Sequence, residues 1–334
     1  MKNSVKIISL CIIMTLFSCS NEPLIENEIS ELSVKMKPEV NEKASTNFPN
    51  ILNLPNGSYP EGIALGNGND LYAGSLYHGG IYKIDLKSGS GAMLVPEQSN
   101  RISVGLDFDP RTNYIFVAGG LDGYAYVYDA LTGADVGAFQ LTTAGLINDV
   151  IITENAAYFT NSIEAEFYKL PLGIDGSLPA PGATITIPLS GDFTTVQGFN
   201  SNGIVANEDG TKLIIGNADG ATLYSVDAVT GDATAINVGG PVPNNDGMVL
   251  RGNKLYVVQN YMNQISVIKL NDSWDSGVVL DVITDSNYKE PTTAAIKGNM
   301  IYAVNSKFSV GFPPVVGGVY DPTIPYEVVG VKLK

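Results

Sequence analysis

Residues 243–250 read Pro-Asn-Asn-Asp-Gly-Met-Val-Leu, and Leu255-Tyr256-Val257 follows after a short break. A carboxylate, Asp246, opens a run that turns into an apolar strand. Asn-Asp-Gly is good turn chemistry, so a single copy of this pattern means little. The pattern recurs, however, and its recurrence decides the fold. Glu61-Gly62-Ile63-Ala64-Leu65 precedes Leu71-Tyr72-Ala73, and Val104-Gly105-Leu106-Asp107-Phe108 precedes Tyr114-Ile115-Phe116. Asn148-Asp149-Val150-Ile151-Ile152 and Asn202-Gly203-Ile204-Val205 open two further copies, and Thr292-Thr293-Ala294-Ala295-Ile296 opens a sixth.

Each unit continues with a third strand, such as Tyr124-Ala125-Tyr126-Val127-Tyr128-Asp129, and a fourth, such as Ala92-Met93-Leu94-Val95. Four short antiparallel strands repeated every 43 to 54 residues describe propeller blades. The expected fold is therefore all-β, a six-bladed β-propeller of four-stranded antiparallel blades over residues 48–334. The sixth unit runs out after Tyr326-Glu327-Val328-Val329-Gly330-Val331. Its missing outer strand is expected from Ile51-Leu52-Asn53-Leu54, which would close the ring with both chain ends.

The N-terminus carries a different signal. Lys2 and Lys6 precede the apolar run from Ile7 to Met14, and Leu16-Phe17-Ser18-Cys19 ends it. A basic start and a short apolar core read as a signal peptide over residues 1–18, too short for an ordinary membrane span. The final tetrad looks like a bacterial lipobox, with Cys19 as the lipidated residue; a plain signal peptide is the alternative. Residues 19–47 are polar and mixed in charge and are expected to tether the domain. The expected location is the bacterial cell envelope, lipid-anchored, facing the periplasm or the surface, with the domain a monomer. Cleavage removes Cys11, so no internal disulfide is possible. The net charge of −15 argues against a nucleic-acid partner and favours attraction of cations.

The first strand of a blade lines the central channel, and the residue opening it sits at the channel mouth. In chain order that slot holds Glu61, Val104, Asn148, Asn202, Asp246 and Thr292. Four of the six point a carboxylate or amide at one axis, while Val104 and Thr292 show that the fold itself demands neither there. Asn-Gly and Asp-Gly can be mere turn residues, but Glu is a poor turn former and Glu61 resists that reading. Two carboxylates and two amides form a hard, oxygen-only set suited to Ca²⁺ first, then Mg²⁺, with Mn²⁺ or Zn²⁺ less favoured without His or Cys.

These slots, Pro60-Glu61-Gly62, Asn148-Asp149, Ser201-Asn202-Gly203 and Asn245-Asp246-Gly247, resemble those of the regucalcin/gluconolactonase family, six-bladed propellers with a divalent cation at the channel mouth. The resemblance implies a metal held by Glu61, Asn202 and Asp246, with Asn148 contacting substrate and Asp246 as the catalytic general base. It implies a metal-dependent hydrolase of a lactone or related ester. Many members carry Arg two residues before the blade-three Asn; here that residue is Leu146, which departs from sugar-lactone specificity. A non-catalytic propeller binding a glycan, peptide or protein partner is the competing expectation, and a purely structural ion is a third.

Loops between second and third strands share the mouth face, which places Ser75–His78, Asp122, Asn161–Glu164, Asn217–Asp219 and Asn260–Asn263 around it. Two long insertions, residues 190–201 with Phe193 and Gln197 and residues 307–325 with Phe308, Phe312, Pro313 and Pro314, are expected to wall the site. His78, the lone histidine, excludes a His-based triad or a multi-His metal centre. It is read as a surface loop residue, with substrate contact the lesser alternative. Phe193 and Phe308 are further substrate-contact candidates. The strand tyrosines are read as inter-blade packing, and Asp85, Asp129 and Asp227 as turn formers.

Overall fold

The computed structural model describes residues 48–311 and 317–334. The signal peptide, Cys19 and the tether lie outside the described residues, as do Phe312, Pro313 and Pro314.

Six antiparallel sheets form, one per sequence repeat. Blade one comprises Pro60–Leu65, Asp70–Ser75, Ile81–Asp85 and Gly91–Val95. Blade two follows with Leu106–Asp109, Tyr114–Ala118, Tyr124–Asp129 and Asp135–Gln140, and blade three with Ile147–Ile152, Ala156–Asn161, Glu166–Pro171 and Ile185–Pro188. Ser201–Ala206, Lys212–Asn217, Thr222–Asp227 and Asp232–Ala235 make blade four; Asn245–Arg251, Lys254–Gln259, Gln264–Leu270 and Gly277–Thr284 make blade five. The innermost strands touch in a closed cycle, blade one against blades two and six. The fold is a six-bladed β-propeller. No α-helix occurs among the described residues.

Blade six takes Pro291–Lys297, Met300–Asn305 and Tyr326–Lys332 from the end of the chain and Ile51–Leu54 from its beginning. Ile51 pairs with Val329 and Leu54 with Tyr326, antiparallel, as the ring closure expected from the sequence requires. Leu52 and Leu54 face inward while Ile51 and Asn53 face solvent, the period-two alternation of a half-buried strand. Burying a leucine side chain contributes roughly 1.5–3 kcal/mol, which here locks the seam.

Apolar side chains gather between neighbouring blades rather than on the axis. One cluster joins blades three and four through Phe167, Ile187, Leu213 and Ile215, and another joins five and six through Val258, Ile265, Ile301 and Val329. Tyr72, Tyr126, Tyr158, Tyr256 and Tyr302 belong to such clusters, so they pack blades together. Keeping the core between sheets leaves the axis free for polar groups. At the third-strand ends, Asp129 Oδ1 accepts the Leu131 and Thr132 N–H groups and the Thr132 hydroxyl, and Asp85 and Asp227 repeat the arrangement with Ser88 and Thr230. They are turn formers.

One blade departs from four strands. Ser190–Gly191 lies parallel to the outer strand of blade four and covers its edge. Two backbone bonds, Ser190 N–H to Gly231 and Asp192 N–H to Ala233, hold it there. The insertion that was expected to wall the site therefore spends its first residues on the outside of the ring.

Candidate functional site

The slot residues owe their direction to a repeated bulge. In blade one Pro60 pairs with Ser75 and Ile63 with Ala73, so Glu61 and Gly62 together oppose Gly74. The same two-against-one irregularity falls at Asn148-Asp149, Asn202-Gly203, Asp246-Gly247 and Thr292-Thr293. A bulge bends its strand and re-aims a side chain out of the ladder. In blade one the second bulge position requires glycine, because a Cβ on Gly62 would lie 2.2 Å from the carbonyl oxygen of Val104 in blade two, whereas blades three and six carry Asp149 and Thr293 there. Only glycine admits that approach of backbone to backbone.

Hydroxyls from one blade pin the slot backbone of the next. Thr160 Oγ1 donates to the Asn202 carbonyl and Ser162 Oγ to that of Ser201, both at 2.7 Å. Thr292 Oγ1 donates to Glu61 O at 2.8 Å, and Ser306 Oγ to Pro60 O at 2.7 Å. These bonds fix where each slot side chain starts.

Glu61, Val104, Asn148, Asn202 and Asp246 all line one pocket at the mouth, a cavity of about 160 Å³. Thr292 does not, since its hydroxyl is engaged with Glu61 O and Ser306. Glu61 and Asp246 are buried, 6% and 3% exposed. Asp246 Oδ2 accepts a 2.8 Å bond from Asn260 Nδ2. Two atoms facing this cluster are orphans: Glu61 Oε2 and Asn202 Oδ1 are buried without a hydrogen-bond partner. Buried polar atoms in folded proteins nearly always have partners, and each exception calls for an explanation.

The electrostatics are those of crowded anions. Burial pushes the Glu61 carboxyl well above the usual carboxylate range, with Asp246 and Asp149 adding repulsion. Burial lifts Asp246 to about 7, against the pull of the Asn260 bond. Two further carboxylates lie on inner strands. Asp149 and Asp107 are each raised by burial to about 7. Asp149 accepts the N–H groups of Val150 and, across the blade boundary, Ile204; Asp107 accepts those of Phe108 and Ile152. They fasten blades three to four and two to three. Sequence reasoning passed over both, although each is an acidic residue inside an otherwise apolar inner strand. Among the described residues no three His, Cys, Asp or Glu side chains group as a metal centre, so any cation site here depends on amide oxygens as well.

The mouth-face loops arrive as expected in part. Leu76, Leu121, Asp219, Asn260 and Tyr261 line the pocket, and Phe308 does so from the blade-six insertion. From the blade-four insertion the lining residue is Phe199, not Phe193. Asp219 accepts the Phe199 N–H at 2.7 Å, and the Asn217 amide donates to Thr194 O, which hang that loop over the mouth. Phe193 instead turns down onto Tyr224, 5.0 Å between ring centroids, because the edge strand before it carries the chain outside the ring. His78 is likewise outside the lining. Its ring meets Tyr77 edge-on at 3.9 Å and lies 3.6 Å from Glu97, and partial burial lowers its pKa. Leu146 lines the pocket two residues before the blade-three slot.

No protein-family description and no curated protein sequence matches the chain. Solved structures do. The Malassezia sympodialis allergen Mala s 1 superposes with a TM-score of 0.60 at 16% identity, over 84% of this chain and 96% of its own. A catalytically inactive virginiamycin B lyase from Staphylococcus aureus, solved with quinupristin, gives 0.58 at 11%, over 84% and 98%. A Lactobacillus plantarum protein gives 0.55 at 17%, over 82% and 88%. Identities this low establish a shared propeller fold. The gluconolactonase resemblance rests on the four slot residues alone.

Proposed function

We propose that the channel mouth holds one divalent cation, Ca²⁺ by preference, between Glu61, Asn202 and Asp246, and that the protein hydrolyses a small lactone or related ester there. The orphaned Glu61 Oε2 and Asn202 Oδ1 carry this reading, because a cation supplies the partner that both atoms lack. Hard oxygen donors and a strongly acidic chain suit calcium or magnesium. Envelope localisation, read from Leu16-Phe17-Ser18-Cys19, accords with a calcium-rich setting.

When bound, such an ion polarises a carbonyl oxygen and stabilises negative charge developing on it. The chain's own groups do the remainder. In this reading the Asn148 amide donates to a ligand oxygen, and Asp246 accepts a proton from an attacking water. Asn260 orients Asp246 through its 2.8 Å bond. Leu76, Leu146, Phe199 and Phe308 narrow the access of bulk water, which strengthens every charge interaction inside.

Hydrolysis of a panel of lactones and aryl esters, with calcium and with chelator, tests the proposal. Turnover is expected with calcium and lost with chelator and in Asp246→Asn. Equal rates in all three overturn the cation and Asp246 as its working parts, and no turnover of any member overturns the hydrolase. Binding without turnover would leave the competing reading, a propeller that captures a ligand. The exposed Leu121, Phe199 and Tyr261 at the rim favour capture of some kind in either case.

A further inference from the structure

The pocket has two unlike sides. Blade two contributes Ile102, Val104 and Leu121 to its lining and no polar side chain. Blade five lies opposite blade two in the ring order and contributes Asn244, Asp246 and Asn260. Leu146 extends the apolar side with Asn148 next to it, and Asn202 and Asp219 extend the polar one, which Ala218, Phe199 and Tyr261 border. Among the described residues no Lys, Arg or His lines the pocket. Leu121, 56% exposed, carries the apolar side out to the rim, where Phe199 is 44% exposed.

Each point restricts the ligand. A carboxylate or phosphate on the substrate would find no basic side chain and would face Glu61, Asp246 and Asp219. A polyhydroxylated ring would leave its hydroxyls unpaired against Ile102, Val104 and Leu146, at the cost of burying polar groups without partners. An uncharged ligand with oxygen at one end and hydrocarbon at the other satisfies both sides. We infer that the substrate class is an uncharged lactone or ester bearing an alkyl or other apolar arm, with the arm over blade two and the carbonyl over blades four and five. This rests on the pocket being the site for a carbonyl ligand, and it adds the specificity. Val104, the apolar slot residue, and Leu121 become specificity-determining residues, and Leu146 follows from the same logic.

A ladder of probes reads the inference directly. δ-Hexalactone, δ-octalactone and δ-decalactone are titrated by ligand-observed NMR in chelator, where the chain-length effect is separated from turnover, with D-glucono-δ-lactone as the hydroxylated counterpart. Each added methylene is expected to tighten binding by about threefold to fourfold until the rim is filled. Glucono-lactone is expected to bind more weakly than δ-octalactone. Leu121→Asn should flatten the ladder, whereas Val278→Asn, at an exposed apolar position in the outer strand of blade five, should leave it unchanged. A flat ladder in the native protein, or tighter binding of glucono-lactone, overturns the inference, as does failure of every lactone to bind. Absence of calcium binding with the ladder intact would refute the cation site and leave this specificity standing.

Discussion

The hydroxyl of Thr292 donates to the backbone carbonyl of Glu61 at 2.8 Å, and these residues stand 231 positions apart. The slot residue of the last blade thus holds the slot backbone of the first, across the seam where the ring closes. Thr292, like Val104, is a slot residue without a carboxylate or amide. Its oxygen is used, but sideways.

Replacing Thr292 with valine keeps the shape and removes that bond, which leaves the buried Glu61 carbonyl without this donor while Ser306 keeps its bond to Pro60 O. A loss of about 1–3 kcal/mol of folding stability is expected, measured by urea unfolding. Thr292→Ser should recover most of it. Stability unchanged in the valine variant would contradict the pinning role.

The inner-strand carboxylates predict an unusual pH profile for the cation-free protein. Asp107 and Asp149 move from an ordinary value of 3.8 to about 7 in the folded chain, and Glu61 moves in the same direction. Folded protein therefore binds more protons than unfolded protein between those values, and stability falls as pH rises from about 4 to about 7. The turn aspartates, lowered by their hydrogen bonds, lose their contribution only below that window. His78, lowered by burial, opposes the trend alone, whereas Asp246 and Asp122, both raised by burial, add to it. In chelator the thermal midpoint should be higher at pH 5 than at pH 7.5 by several degrees, and Asp149→Asn should shrink the difference. A midpoint rising over that interval would refute the crowding argument.

Ring closure is testable through Leu52, which is fully buried in the strand donated by the N-terminal end. Leu52→Ala should cost about 2–5 kcal/mol, as for other leucine truncations in tight cores. Asn53→Ala, on the exposed side of the same strand, should cost little. Equal effects from both would mean that the strand adds nothing to the blade. Chemical denaturation of the two variants decides it.

The catalytic reading has its own variant pair. Asp246→Asn should keep the fold and lower turnover of a cleaved lactone by about 10²–10⁴. Glu61→Gln, which keeps the carbon skeleton but removes one charge from the cluster, should weaken calcium affinity in calorimetry more than it alters stability. Turnover untouched by Asp246→Asn assigns the base elsewhere.

Much of this was legible in one sequence because blades repeat. Six strand-turn-strand units at similar spacing, ending short of a complete sixth sheet, already demanded a partner strand, and Ile51–Leu54 fitted. The ring positions of Glu61, Asn148, Asn202 and Asp246 followed from the same alignment of units. What escaped it depends on how neighbouring blades meet. The bulge at each slot is set by inner strands packing around the axis, which Gly62 and Gly203 record only as small residues. Asp107 and Asp149 looked like strand or turn residues, since their acceptor role lies in the N–H groups of the next blade. Phe193 and His78 were assigned by loop membership, but the edge pairing of Ser190–Gly191 and the tyrosines around His78 settle where those rings lie. Loop membership fixes a face of the propeller, not a direction.

The direct test of the cation site is an anomalous difference map from crystals grown in calcium. The account predicts a single peak at the mouth of the channel, about 2.3–2.6 Å from oxygens of Glu61, Asn202 and Asp246. No peak there, with the Glu61 carboxyl instead hydrogen-bonded as a neutral acid to its neighbours, would contradict it.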